Sequence, residues 1–156
     1  MSSFLGKKAP EFSLQNGNFK NISLSNHFKV SNVLLLFYPL SFSNVCTKEL
    51  CQTRDNLKFY DALDTSVIAI SVDSVFVQRA FKASQNLNFE VLSDFNKEVS
   101  KTYGAFYDSY FGMNGVSKRA AFIIDKEGIV RYEEILEDSE LLPNFFNIQS
   151  VLSELA

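Results

Sequence analysis

The chain has 156 residues, 46% of them apolar and 21% charged, with a net charge of −3. That length suits one domain spanning residues 1–156, which buries roughly two-thirds of the surface its unfolded chain exposes and needs no disulfide or metal staple to fold. The absence of any lysine or arginine cluster removes the electrostatic footprint of a nucleic-acid binder, and the longest apolar run, residues 33–40, is far too short to cross a bilayer.

In chain order, the opening MSSFLGKKAPEF lacks the apolar segment of a secretion signal. A cytoplasmic protein is the expectation, and thiols there stay reduced unless they are catalytic or sensing. Residues 11–14 and 19–24 flank Gln15-Asn16-Gly17-Asn18, and Asn-Gly between alternating apolar segments predicts a β-hairpin. The run 33–38 is apolar throughout and ends at Pro39, which predicts a strand buried on both faces. Residues 44–63 have helix-like spacing, and 66–72 read as a second buried strand. Asp73 or Ser74 caps a helix running to about residue 86. Residues 89–92 form a short strand, Asp94 or Asn96 caps another helix, and Gly104 ends it in the left-handed conformation. Residues 119–125 predict a strand that turns at Lys126-Glu127-Gly128 and returns antiparallel over 129–135, before a last helix at 143–155. Strands alternating with helices and followed by a hairpin predict an α/β fold, with a mixed central sheet flanked by helices and an N-terminal β-hairpin. A thioredoxin-like arrangement fits that order.

The chain has only two cysteines, and they stand five residues apart in Pro39-Leu-Ser-Phe-Ser43-Asn-Val-Cys46-Thr-Lys-Glu49-Leu-Cys51. Metal ligands, buried thiols and a redox pair are the three readings of such spacing. Two cysteines and the single histidine, His27, supply too few ligands for a zinc site or for a cysteine–histidine protease. Pro39 ends the preceding strand because it has no N–H to donate. Cys46 then falls in the first turn of a helix, where backbone N–H groups are unpaired and the helix dipole is positive. Surroundings of this kind take a thiol from about 8.5 toward the ~3.5–7.5 range of reactive cysteines, so the turn suits a thiolate. Ser43, three residues earlier, brings a hydroxyl within reach of the sulfur or of a bound oxygen. Glu49, three residues later, lies on the same side of the helix.

Pro39 to Cys46 resembles the peroxiredoxin signature Pro-x-x-x-(Thr/Ser)-x-x-Cys. Ile70-Ser71-Val72-Asp73-Ser74, Leu92-Ser93-Asp94, Tyr103-Gly104 and Arg119-Ala120-Ala121-Phe122-Ile123-Ile124-Asp125 resemble later segments of the same family, in the same order. The resemblance implies a thiol peroxidase that reduces hydrogen peroxide and organic hydroperoxides. It also implies roles for five residues. Cys46 attacks the peroxide as a thiolate and becomes a sulfenic acid. Ser43 and the Cys46 N–H donate hydrogen bonds to the peroxide, Arg119 stabilises the thiolate and polarises the O–O bond, Pro39 shields the sulfur from water, and Glu49 orients Arg119. No metal or organic cofactor is implied, and the expected electron donor is a thioredoxin-like dithiol protein.

Cys46-x4-Cys51 followed by Gln52-Thr53-Arg54 resembles the Q-type peroxiredoxins, or bacterioferritin comigratory proteins, in which the second cysteine resolves the sulfenic acid into an intramolecular disulfide. Five residues along a helix advance ~7.5 Å and rotate ~140°, whereas a disulfide needs Cα atoms within roughly 4.4–6.8 Å. Resolution by Cys51 therefore requires the first turns of the helix to unwind. Phe37-Tyr38-Pro39-Leu40 also resembles the E-type enzymes, which often lack a resolving cysteine. Cys51 as a purely structural residue thus stays open, as does a peroxide-oxidised sensor or relay that switches a partner. The aromatic stretch 103–113 reads as core and loop packing, as an apolar collar for organic hydroperoxides, or as a self-association surface. A monomer and a homodimer are both compatible with it.

Overall fold

A computed structural model describes residues 3–156; Met1 and Ser2 of the expected domain lie outside the described residues. Its centre is a seven-stranded sheet built from β1 (Ser13–Asn16), β2 (Asn21–Ser23), β3 (Asn32–Phe37), β4 (Thr65–Ser71), β5 (Glu90–Ser93), β8 (Arg119–Ile124) and β9 (Val130–Leu136), in the order β2-β1-β5-β4-β3-β8-β9. The β3/β4 and β4/β5 pairs are parallel; β1/β2, β1/β5, β3/β8 and β8/β9 are antiparallel. The N-terminal hairpin joins the main sheet through β5. It is shorter than the sequence predicts: Phe19 takes a left-handed backbone (φ 60) and lies in the turn, leaving Asn21–Ser23 as the second strand.

All six residues of β3 are buried, because the strand sits mid-sheet with a core on each face. Val33, Leu35 and Phe37 point to one core, together with Ile68, Ile70, Phe122 and Tyr103, beneath the N-terminal segment. Leu34, Leu36 and Tyr38 point to the other, which is covered by α1 (Asn44–Asp55), α2 (Leu57–Ala62), α3 (Val75–Ser84) and α5 (Phe145–Leu155) through Leu50, Tyr60, Phe81, Ile148 and Leu152. Each such side chain stabilises the fold by roughly 1.5–3 kcal/mol relative to exposure. The period-two split of one apolar run into two cores is what makes β3 the spine of the molecule.

Ser74 caps α3, accepting from the Val77 N–H, and Gly104 takes its left-handed turn (φ 73), both as the sequence predicts. Asp94 acts from further away: Lys97 is the residue before α4 (Glu98–Thr102), while the Asp94 carboxylate accepts from the N–H groups of Val99 and Ser100. The helix expected over 44–63 is two helices. Asn56 breaks it, its side-chain amide donating to the Gln52 carbonyl and so competing with the helical ladder. Most of the aromatic stretch 103–113, for which the sequence suggests no strand, lies in a hairpin, β6 (Phe106–Tyr110) with β7 (Met113–Ser117), forming a separate two-stranded sheet.

Candidate active site

The β3 ladder continues to Tyr38, whose N–H donates to Ile70 O, and stops at buried Pro39. The chain then turns into α1 through Phe42, a non-glycine residue at φ 72, a conformation that costs of order 1–3 kcal/mol unless its surroundings enforce it. Several contacts do so. The Ser41 N–H donates to Asp73 Oδ2 at 2.7 Å, the Ser41 hydroxyl donates to Gln78 Oε1 at 2.7 Å and shares a 2.8 Å hydrogen bond with the Tyr38 hydroxyl, and the Phe42 ring packs on Phe81 at 5.1 Å. Gln78 is itself locked, donating to Ser71 Oγ and Leu92 O. This buried network fixes the turn that carries the site.

Ser43 stands at the N-terminus of α1 in extended conformation (φ −75, ψ 154). Its hydroxyl donates to Leu40 O at 2.8 Å, with no hydrogen bond to the Cys46 sulfur. Engaging a bound oxygen therefore means exchanging that partner. Cys46, 1% exposed, lies in the first helical turn, whose N–H groups lack intrahelical acceptors. Glu49 is fully buried one turn later, and Arg119 enters from the start of β8. Register brings them together: β8 runs antiparallel beside β3 with Ala120 opposite Phe37, so Arg119 lies next to the point where β3 hands the chain to α1.

The Arg119 guanidinium is 1% exposed and makes four hydrogen bonds. Nη2 donates to Cys46 Sγ at 3.2 Å, Nη1 donates to Glu49 Oε1 at 2.5 Å, and Nε and Nη2 both donate to Ser139 O at 3.1 and 2.9 Å. Burial works against the Arg119 charge, but Glu49 and Cys46 beside it outweigh that and hold it above its ordinary range. Burial pushes the Glu49 carboxyl up from 4.5 to about 7 while Arg119 pulls it down. Its second oxygen, Oε2, has no hydrogen-bond partner. A sulfur held against an immobilised cation suits nucleophilic displacement at a bond whose departing atom takes up negative charge.

Cys51 is half-buried on the same continuous helix, with both thiols free and its sulfur donating to Gln85 Oε1 at 3.4 Å. His27 lies half-buried in a 3-10 turn over Leu24–His27. A cavity of about 680 Å³ lined by Phe12, Leu14, Phe76, Asp94 and Tyr103 touches none of the predicted site residues. Sequence reasoning missed the Ser139 carbonyl and the Ser41–Asp73–Gln78 network. A backbone acceptor leaves no side-chain signature, and Asp73 drew notice only as a helix-cap candidate and as part of a family-like segment, with nothing to link it to Ser41 or Gln78.

Residues 5–133 match the AhpC/TSA family. The chain belongs to that family. This peroxiredoxin is 33% identical over 139 residues to alkyl hydroperoxide reductase E of Mycobacterium tuberculosis, covering 88% of each chain. It is 35% identical over 145 residues to a chloroplastic 2-cysteine peroxiredoxin of Chattonella marina, covering 86% of this chain and 72% of that one. Among solved structures, peroxidoxin BcpB from Mycobacterium tuberculosis superposes with a TM-score of 0.87 at 26% identity over 97% of both chains. The reduced 2-Cys peroxiredoxin of Plasmodium vivax superposes with 0.85 at 28% identity, over 97% of this chain and 81% of that one. The thioredoxin-like architecture read from the sequence is thus the fold of this peroxiredoxin. Cys46, Glu49, Cys51 and Arg119 all fall inside the matched residues; Ser139 falls beyond them.

Proposed function

We propose that in this thiol-dependent peroxidase Cys46 is the peroxidatic nucleophile and residues 1–156 work as one catalytic domain. The Cys46 thiolate attacks one oxygen of a hydroperoxide; the S–O bond forms as the O–O bond breaks, and the departing oxygen takes a proton to leave as water or an alcohol. Cysteine becomes sulfenic acid, and the peroxide is reduced by two electrons. The observation that carries this reading is the 3.2 Å contact between Arg119 Nη2 and Cys46 Sγ, with the guanidinium immobilised by Glu49 and Ser139. The fixed cation supports the thiolate and faces the charge that develops on the departing oxygen. Pro39 closes the site to water, and Ser43 exchanges its Leu40 partner for the peroxide.

Cys51 then attacks the Cys46 sulfenic acid, releasing water and forming a Cys46–Cys51 disulfide, which a thioredoxin-like dithiol protein reduces. This is the Q-type mode of resolution. The unbroken helix and the Cys51–Gln85 contact favour a second reading, a one-cysteine enzyme in which Cys51 only packs and the sulfenic acid is reduced directly from outside. A sensor or relay that passes oxidation to a partner differs from both by low turnover. No helix among the described residues is long and apolar enough to cross a membrane, and the reading places the enzyme in the cytoplasm as a monomer or homodimer. Titration with one equivalent of hydrogen peroxide, followed by mass spectrometry, separates these modes. Wild type should form an internal disulfide, and Cys51→Ser should stop at the sulfenic acid. Identical products from both proteins would rule out Cys51 as resolver, and a wild-type thiol no faster than free cysteine would overturn the assignment of Cys46.

A further inference from the structure

Two of the four hydrogen bonds made by Arg119 go to one carbonyl, Ser139 O. That carbonyl lies in the irregular segment between β9 and α5, which has no strand ladder to hold it. Its anchors come from the separate β6–β7 hairpin. The Tyr107 hydroxyl donates to Glu137 O at 2.5 Å, and the Tyr110 hydroxyl shares a 2.9 Å hydrogen bond with Ser139 Oγ. The two phenol rings stack with centroids 5.2 Å apart and planes inclined by 21°, which presents both hydroxyls to the segment as a rigid pair. Lys118, just after β7, adds an ion pair to Glu137 and lies over the Tyr107 ring at 5.6 Å.

We propose that Tyr107 and Tyr110 are positioning residues for the peroxidase reaction: the hairpin clamps segment 137–139, and the Ser139 carbonyl held there aims the Arg119 guanidinium at Cys46. The inference rests on the Cys46–Arg119 reading above. Its geometric basis is the planar fork of the guanidinium. Glu49 grips only Nη1 and leaves the fork free to swing about that contact. A carbonyl accepting from both Nε and Nη2 removes that freedom and sets the direction of the Nη2 bond to sulfur. Displacement of an aligned group by about 1 Å costs up to roughly 100-fold in rate, so loosening the clamp lowers reactivity without removing any group that touches the peroxide.

The test is the second-order rate constant for oxidation of Cys46 by hydrogen peroxide, measured by rapid mixing at a temperature well below unfolding. Wild type, Tyr107→Phe, Tyr110→Phe, the variant with both tyrosines replaced, Ser139→Ala and Tyr110→Phe combined with Ser139→Ala are compared, each also in an Arg119→Lys background. The variant with both tyrosines replaced should react about tenfold more slowly. Ser139→Ala keeps the carbonyl and loses the hydroxyl, so it should match Tyr110→Phe, and combining the two should be no worse than either alone. With Arg119→Lys the tyrosine substitutions should have no further effect, because lysine lacks the fork that the clamp directs. A merely structural role would lower stability and leave this non-additivity absent. Rates within twofold of wild type, or a loss that persists unchanged beside Arg119→Lys, would overturn the clamp. If Arg119→Lys does not fold, the Tyr110/Ser139 pair decides, with additive losses counting against the proposal. Slow oxidation of wild type would sink the Cys46 assignment and the clamp with it; fast wild type with fast tyrosine variants sinks the clamp alone.

Discussion

Replacing Glu49 by glutamine keeps the shape of the side chain and removes one buried charge. Glu49 is fully buried, with Oε1 on Arg119 and Oε2 unpartnered. Burial raises its carboxyl from 4.5 to about 7 in the folded protein, against the pull of Arg119. In the unfolded chain the group ionises at its ordinary value, so between pH 4.5 and 7 the folded state binds the proton more tightly. Unfolding free energy from this residue is therefore fully present below pH 4.5 and is lost as pH rises through 7. At 1.36 kcal/mol per pH unit, the interval from 4.5 to about 7 amounts to about 3 kcal/mol. Urea unfolding of wild type and Glu49→Gln between pH 4 and 8.5 isolates the effect, since other titrating groups cancel in the difference. Wild type should lose about 3 kcal/mol relative to the variant across that range. With a slope of about 2 kcal/mol per molar urea, the relative midpoint moves by about 1.5 M. A flat difference would refute the reasoning. A difference of opposite sign would show that Arg119 dominates and holds Glu49 ionised below its ordinary range.

Arg119→Ala should be destabilising by about 3–5 kcal/mol at pH 8, because it removes the counter-charge of buried Glu49, which must then stay uncompensated or take up a proton, and empties the space the guanidinium fills. It should also slow peroxide oxidation at least ~10-fold, as expected for loss of a charge-assisted hydrogen bond; urea melts and rapid mixing check the two effects separately. Ser43→Ala should slow oxidation about 5- to 10-fold, one hydrogen bond's worth, with Ser43→Thr restoring it; an alanine variant at full speed would remove Ser43 from the mechanism. If Cys51 resolves, hydrogen exchange at residues 46–51 should accelerate after one peroxide equivalent, since the bridge cannot form on an intact helix. Unchanged protection in the oxidised protein would argue for the one-cysteine mode.

Much of this peroxiredoxin was legible locally. The apolar run at 33–38 announced a strand buried on both faces, 66–72 a second buried strand and 119–125 a third strand, Ser74 its helix cap and Gly104 its left-handed turn, because burial periodicity and capping are written within a few residues. Cys46 and Glu49 shared a helix face by spacing alone, and Ser43 stood at the helix start. Less was visible where distant contacts override local preference. The β6–β7 hairpin is dense in aromatic residues without a clean alternation, and its anchors, Glu137 and Ser139, lie some 30 residues away. The division of the long helix at Asn56 depended on one amide competing for a backbone carbonyl.

The linear order of residues determined the chemistry available: a cysteine at a helix N-terminus, a carboxylate one turn on, and an arginine opening a buried strand. Tertiary structure alone decided that these meet. Cys46 and Arg119 are 73 positions apart and touch because β8 lies antiparallel against β3 in one register. A slip of one residue would turn Arg119 to the opposite face of the sheet. Strand register is set by packing of the whole core, so it is not encoded in either segment by itself.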